Sequence, residues 1–339
     1  MLILTKTPNK MKKRLINTLA VIALVLTVNI SFAQEQITEI LKGSLTDAEK
    51  LTHAYMEPFG KMFNTSLNGG WYQAARPHKF LGFNVTLVAA VTMAPQTSKT
   101  FDVAFLNLEK LELVNPQQNI APTITGESSL PVPELRFKDE PSATFALPNG
   151  AGLPAMPVPF IQAGIGLPFS TELTIRMLPS MDLGDYGRFN LWGIGVKNQV
   201  KDFIPGLKAI PIDLSVMLGY TKFGYEYDID ATKDQNLFLN ASGFTGRILV
   251  GKTIPILSVY AGLGYSQAFT KMGVAGNYEL ETGSSESISV TDPINLEFPH
   301  KSFSANIGAR IRLGVISIHA DYTLGDYALF SGGLGISFR

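Results

Sequence analysis

The chain has 339 residues, with 28 basic and 28 acidic side chains and a formal net charge of zero. That balance lacks the basic footprint of a nucleic-acid binder, and the absence of cysteine excludes disulfides, thiol catalysis and Cys-held metals. Mean hydropathy is only slightly positive, which excludes a helical membrane protein, while 31 glycines and 10% aromatics suit a sheet with tight turns.

The one long apolar run is Leu15 to Ile30, preceded by Lys12, Lys13 and Arg14 and followed by Ser31-Phe32-Ala33. This is the pattern of a secretory signal peptide over 1–33, cut after Ala33, with Met11 a more natural start than Met1. The run is shorter than the ~20 residues a spanning helix needs, and no later segment could span as a helix. An exported chain of alternating strands points to an outer membrane.

Residues 34–79 do not alternate. Thr46-Asp47-Ala48-Glu49 fits a capping box, and Leu51, Ala54, Tyr55 and Met62 follow at helical spacing, with Pro58 limiting or kinking the helix. One amphipathic helix cannot make its own core, so it is expected to pack in a barrel lumen or at its mouth. The motif Gly69-Gly70-Trp71-Tyr72 through Arg76-Pro77-His78-Lys79 then joins aromatics, glycines and cations directly before the first strand. Trp71 and Tyr72 are either anchors at a membrane interface or, with Arg76, His78 and Lys79, plug or gate residues.

From residue 80 the period is two, the period of β-strands. Strand one, Phe80 to Thr92, sends Leu81, Phe83, Val85 and Leu87 to one face and Gly82, Asn84 and Thr86 to the other. A second strand is expected near Thr100 to Leu108. Residues 112–157 carry many prolines and read as a long loop with room for one strand, Asn119 to Phe137. Alternation returns at 158–167, 171–178, 188–200, 211–228, 236–251 and 256–270. In the strand at 211–228 the apolar parity flips at Phe223, which suggests a bulge or a change of packing. Residues 272–300 form a polar loop with a hairpin around Tyr278 and Ile288. The tail from Lys301 holds three more strands. In the first of these, Phe303, Ile307 and Ile311 oppose Ser302, Asn306, Arg310 and Arg312.

One apolar face and one wet face is the signature of a transmembrane antiparallel β-barrel, here all-β with a short N-terminal helical segment. Eleven strands are clear, and barrels of this kind have an even number, so about 12–14 strands are expected. The expected organisation is a signal peptide at 1–33, a plug segment at 34–79 and the barrel at 80–339.

Parity sends Glu172, Arg176, Asp213, Arg247, Arg310, Arg312, His319 and Asp321 inward. These either form a salt-bridged network, with Arg310 and Arg312 pairing carboxylates such as Asp321, or line a conduction path. Ser317, His319 and Asp321 share a face, yet stand in a row ~7 Å apart, too far for a catalytic relay. No enzymatic activity, metal site or cofactor is expected.

At Gly70-Trp71-Tyr72 through Pro77-His78-Lys79, with the Thr46 to Gly60 helix and the Phe203-Ile204-Pro205-Gly206-Leu207 turn, the chain resembles an uncharacterised family of exported proteins from Bacteroidetes-type bacteria. The resemblance covers most of the mature chain and implies an outer-membrane barrel without an established activity. In layout the chain also looks like the long-chain fatty acid outer-membrane transporters, and that likeness alone implies a hydrophobic small-molecule cargo. The expected function is a passive channel or transporter for small or hydrophobic solutes; the alternative is a structural or adhesion barrel whose long loops bind a partner. The other expected partners are outer-membrane lipid and the barrel-assembly machinery, through the C-terminal strand.

Overall fold

The computed structural model describes residues 45–338 apart from 183, 185, 186, 231 and 282–286. The signal peptide, its cleavage site and the start of the 34–79 segment lie outside the described residues.

Ten strands form one closed, up-and-down antiparallel barrel. They are β1 (Phe83–Met93), β2 (Ala155–Leu167), β3 (Thr171–Asp182), β4 (Arg188–Asn198), β5 (Asp213–Asp230), β6 (Gln235–Thr253), β7 (Leu257–Ala275), β8 (Ile294–Leu313), β9 (Ile316–Leu324) and β10 (Ala328–Phe338). Each strand pairs with its neighbours in sequence. β10 then pairs back to β1, Phe338 opposite Phe83, which closes the ring.

The burial of alternate residues follows the parity read from the sequence. In β9, Ile316, Ile318, Tyr322 and Leu324 are exposed outside, and Ser317, His319, Asp321 and Thr323 are buried inside. The outward positions of β8 run apolar from Phe303 to Leu313, and Lys301 follows beyond. Ten residue steps at ~3.4 Å and a tilt of ~45° make this band roughly 24 Å tall, the height of a bilayer's apolar layer. The barrel therefore presents lipid with a continuous apolar belt.

The strand count corrects the expectation of 12–14. Within Thr100 to Leu108 only Thr100–Asp102 is extended, and it pairs with Ile120–Pro122 rather than with the wall. Val103–Leu106 coils into a turn whose start is capped by the Asp102 carboxylate, which accepts the Ala104 N–H at 2.9 Å. Glu134–Phe137 joins Leu111–Leu113 and Thr144–Ala146 in a second small sheet, because prolines break any longer ladder in this stretch. The hairpin Asn277–Glu281 with Ser287–Thr291 exists but pairs only with itself.

No bulge accompanies the parity flip at Phe223. Pairing of β5 with β6 runs unbroken from Asp213 to Asp228. The inward residues turn aromatic there because they meet the plug: Phe223 packs edge-on against Phe63 at 4.9 Å.

The N-terminal segment fills the lumen. Helix α1 (Leu45–Asn68) spans 24 residues and continues through Pro58, where the sequence suggested a shorter helix. Its first turns bury one stripe, Asp47, Ala48, Leu51 and Ala54, against the small sheets of the 94–154 loop. Both Asp47 carboxylate oxygens accept loop N–H groups, from Glu109, Lys110 and Leu111, at 2.8–3.0 Å. Thr46 thus lies inside the helix rather than capping it, and the neighbouring Asp47 serves the loop. From Pro58 the helix is buried almost all round as it descends inside the wall, and residues 69–79 continue to the end where β1 begins.

Replacing Ile307, 68% exposed in the middle of the belt, with Arg should cost roughly 2–4 kcal/mol in vesicle refolding titrations, the penalty of a cation at bilayer depth. A water-facing surface would lose less than about 0.5 kcal/mol, and that result would remove the bilayer from the account.

Candidate functional site

A ten-stranded ring is wider than side chains alone can fill, so the lumen's chemistry is the chemistry of wall against plug. Two sides and three levels differ.

On one side of the level near the loops, contact is apolar. Phe59, Met62, Phe63 and Leu67 pack on Val88, Phe160, Leu191, Phe223, Leu239 and Leu329. These inward apolar residues were absent from the expected polar lumen. Their positions were legible by parity, but their partner was not.

Across α1 the apolar packing continues through Met272, Leu296 and Phe298, and beside it, next to Leu329, lies a more polar stretch. Thr65, Asn68, Arg247, Ser266, His300, Ser302, Ser304, Thr323 and Tyr327 surround a seam with a cavity of about 20 Å³, room for one water. Arg247 donates to Ser304 Oγ at 2.9 Å and to Asn306 Oδ1 at 3.4 Å. Beyond the seam Tyr72 shares Asn306 with Arg247: its hydroxyl donates to the same Asn306 oxygen at 2.8 Å and its ring meets Tyr260 edge-on at 5.5 Å.

Midway, Arg176 is fully buried. Its guanidinium lies 3.5 Å from the centroid of Trp71 and 4.1 Å from that of Phe160. It donates to the carbonyls of Leu67 and Gly69 at 3.0 and 2.9 Å. The other side of Trp71 rests on Gly195 and Gly219, paired across β4 and β5, where an added Cβ would come within 2.7 and 2.5 Å of the indole. Trp71 and Tyr72 are therefore lumen residues: their contacts are with wall side chains, which tie the N-terminal segment to the wall away from any membrane interface.

Near the β1 end the plug turns ionic. Glu172 Oε2 accepts the His78 backbone N–H at 2.9 Å and lies 2.8 Å from His78 Nδ1; its Oε1 lies 3.2 Å from Lys197 Nζ. Lys197 also donates to the Ala74 carbonyl at 3.0 Å. Arg76 Nε donates to Asp213 Oδ1 at 2.8 Å. Lys197 was not among the sequence candidates, although parity with Trp192, Ile194 and Val196 already placed it inside. Lys79 is exposed, and Arg312 is half-buried near the mouth.

Arg310 and Arg312 make no ion pair among the described residues, which corrects the expected bridge to Asp321. Asp321 instead accepts from Tyr260 at 3.2 Å. Ser317 donates to Gln73 Oε1 at 3.4 Å, and neither ring nitrogen of His319 has a hydrogen-bond partner among the described residues. Ser317, His319 and Asp321 are thus turned to different neighbours.

A family match spans residues 11–338. The chain belongs to the DUF6588 family. It is described as a family of unknown function, and the match contains every lumen and plug residue named above. Among curated proteins no relative matches. Solved structures resemble the chain loosely. The translocator domain of the autotransporter NalP from Neisseria meningitidis shares 12% identity over 76% of this chain and 87% of its own, with a TM-score of 0.28. The Ralstonia pickettii toluene transporter TbuX shares 8% over 84% and 99%, at 0.25. Ail of Yersinia pestis, solved with the heparin analogue sucrose octasulfate, shares 8% over 76% and 97%, also at 0.25. Overlaps this loose say nothing of what the lumen carries.

Replacing Glu172 with Gln strands the Lys197 ammonium and should cost about 3–5 kcal/mol in denaturant titrations, with most of that loss recovered in the Glu172→Gln, Lys197→Met double variant. Equal losses in single and double variants would show that the pair is not the cause. In a Trp192→Phe background, Gly219→Ala should shift Trp71 emission, since the methyl occupies the ring's seat; an unchanged spectrum would contradict the packing.

Proposed function

We propose that this protein is an outer-membrane barrel, closed at rest, that passes small polar solutes along one side of its plug, with Tyr72 as the gate. The observation that carries the reading is the seam beside α1, lined mainly by hydroxyl, amide and guanidinium groups, where the rest of the helix is sealed by apolar packing that includes Met272, Leu296 and Phe298; Tyr72 lies beyond the seam, linked to its Arg247 through Asn306. On α1 the partly exposed Glu57, Lys61 and Thr65 form an i, i+4, i+8 stripe, and the first two are bridged at 2.7 Å. Below Tyr72, beside the buried Met217, Leu249 and Tyr260, a polar run continues through Asp321, His319, Ser258 and Arg310 to Arg312. A single hydrogen-bonded ring therefore separates two polar half-paths. The seam's lining favours polar solutes over the hydrophobic cargo, because the apolar side of the lumen is already occupied by α1. The outer membrane is the compartment that suits a belted barrel preceded by the export signal of residues 1–33, as in the exported Bacteroidetes-type family the sequence resembles. The reading assigns the protein no catalysis.

A second reading is a surface-binding barrel. It is favoured by the loop cap, which has its own core joined to α1 and exposes Phe105 at 81% and Ile120 at 49%.

Planar-bilayer recording separates the two. The native chain should show small, infrequent openings, Tyr72→Ala should raise them several-fold, and deletion of residues 34–70 should leave a steady pore. Three silent proteins would end the transport reading. Loss of a surface partner on removing residues 100–147 would then support the second.

A further inference from the structure

At the end where β1 begins, the hairpin tips are apolar where a water-facing turn would be polar. Phe169 in the β2–β3 turn is 83% exposed and Phe203 in the β4–β5 turn 63%, with the exposed Ile204 beside it. Ile254 and Ile256 in the β6–β7 turn and Val315 in the β8–β9 turn are exposed as well. The Phe169 and Phe203 tips are braced as one body. Asn198 Nδ2 donates to the Phe169 carbonyl at 2.9 Å, the Gln199 N–H to the Ser170 carbonyl at 3.0 Å, and Ser170 Oγ to Asp202 Oδ2 at 2.7 Å. Lys201 Nζ closes the longer turn on the Ile212 carbonyl at 2.7 Å. Phe169 and Ser170 both hold left-handed backbone, φ 58° and 51°, in a turn where asparagine and glycine cost least. The chain thus keeps a phenylalanine in a strained position where the protein leaves its ring almost uncovered.

Charge at this end is one-sided. Its acids among the described residues are engaged, Glu172 by His78 and Lys197, Asp213 by Arg76, and Asp202 by Ser170. Lys79 and Lys252 are exposed and Arg312 is half-buried, and none of the three has an ion pair among the described residues. Turns at the opposite end carry exposed acids such as Asp234 and Asp292. Between Phe169 and the belt residues Leu173 and Val196, Asn198 donates to Thr171 Oγ1 at 2.9 Å, so this polar pair demands little water. Apolar tips in line with a lipid-facing belt, rimmed by unpaired cations, match the headgroup zone of a bilayer that carries acidic lipid. We propose that these tips form a foot, immersed at headgroup depth, that binds anionic phospholipid in the leaflet on the plug-entry side. The phenylalanine and isoleucine side chains lie among the glycerol and upper acyl carbons, and Lys79 and Lys252 extend to phosphate. The inference rests on the lipid-facing belt and is independent of conduction.

The chain has no native cysteine, so a single introduced cysteine can carry one nitroxide on the full-length chain. Phe203→Cys probes the foot, Ile307→Cys the belt and Phe105→Cys the exposed loop cap at the other end. Each is placed in phosphatidylcholine vesicles, with or without phosphatidylglycerol. Power-saturation EPR compares access to oxygen, which prefers lipid, with access to a water-soluble nickel chelate. The label at 203 should be shielded from nickel several-fold relative to the label at 105. Phosphatidylglycerol should deepen that shielding, and the gain should vanish in a Lys79→Gln, Lys252→Gln background. Phe169→Cys repeats the measurement on the second tip, and heat-modified gel mobility checks that each barrel is folded. Equal nickel access at 203 and 105, with 307 shielded, overturns the foot. Nickel access at all three positions removes the belt on which the foot rests. Shielding at 203 that ignores phosphatidylglycerol or the two lysines overturns the anionic-lipid site.

Discussion

The structure depends on satisfying an irregular backbone at membrane depth. Residues 69–79 are not helical, so their carbonyls have no acceptor role within the segment, and lipid offers no water to replace one. The wall answers at four of these carbonyls and at the last turn of α1. Arg176 takes Leu67 and Gly69, Gln162 takes Trp71, Lys197 takes Ala74 and Ser215 takes Ala75. The dependence is mutual. A buried guanidinium without a carboxylate is costly by several kcal/mol, and Arg176 is stabilised by the plug's own carbonyls and by the Trp71 and Phe160 rings. Neither plug nor wall is complete without the other.

That mutual arrangement makes the two sides of α1 unequal in what they permit. Apolar interdigitation between Phe63, Leu67 and the wall loses contact energy for every small displacement. Hydroxyl and amide partners along the seam beside it can exchange one another for water at little cost. Motion is therefore easiest where Thr65, Ser302 and Ser304 face each other, and Tyr72 lies beyond that compliant seam. The acidic and basic groups nearer the β1 end do a separate task. Glu172 and Asp213 hold His78, Lys197 and Arg76, and so fix where the plug enters the first strand.

Much of the wall was legible in the sequence because membrane solvation imposes a strict period of two. The parity of Phe303 to Leu313 and of Ile316 to Leu324 needed no tertiary information. Strand number was less legible: Thr100 to Leu108 and Asn119 to Phe137 have enough β-formers to read as strands, and only the pairing partners reveal two small sheets outside the ring. Phe223 misled for a related reason. An inward aromatic looks like a register slip until the helix it packs against is known. Arg310 was expected to find an acid because opposite charges lay on neighbouring strands, but inward parity places a residue within a wide lumen without saying which neighbour it reaches. Trp71 was ambiguous because the anchor and the lumen residue have the same composition, and the paired Gly195 and Gly219 that seat it lie far along the chain.

The join between β1 and β10 couples residues 83 and 338, so the ring is finished only when nearly the whole chain has been laid down. The plug precedes that first strand and is gripped by side chains from β2 through β10. Such distant partners make closure slow, and the segment must already be enclosed when the two edges meet. Once they have met, withdrawal has only a lengthwise route, past Arg176 and against the loop cap fastened to Asp47. What fills the lumen is thus settled when the ring closes.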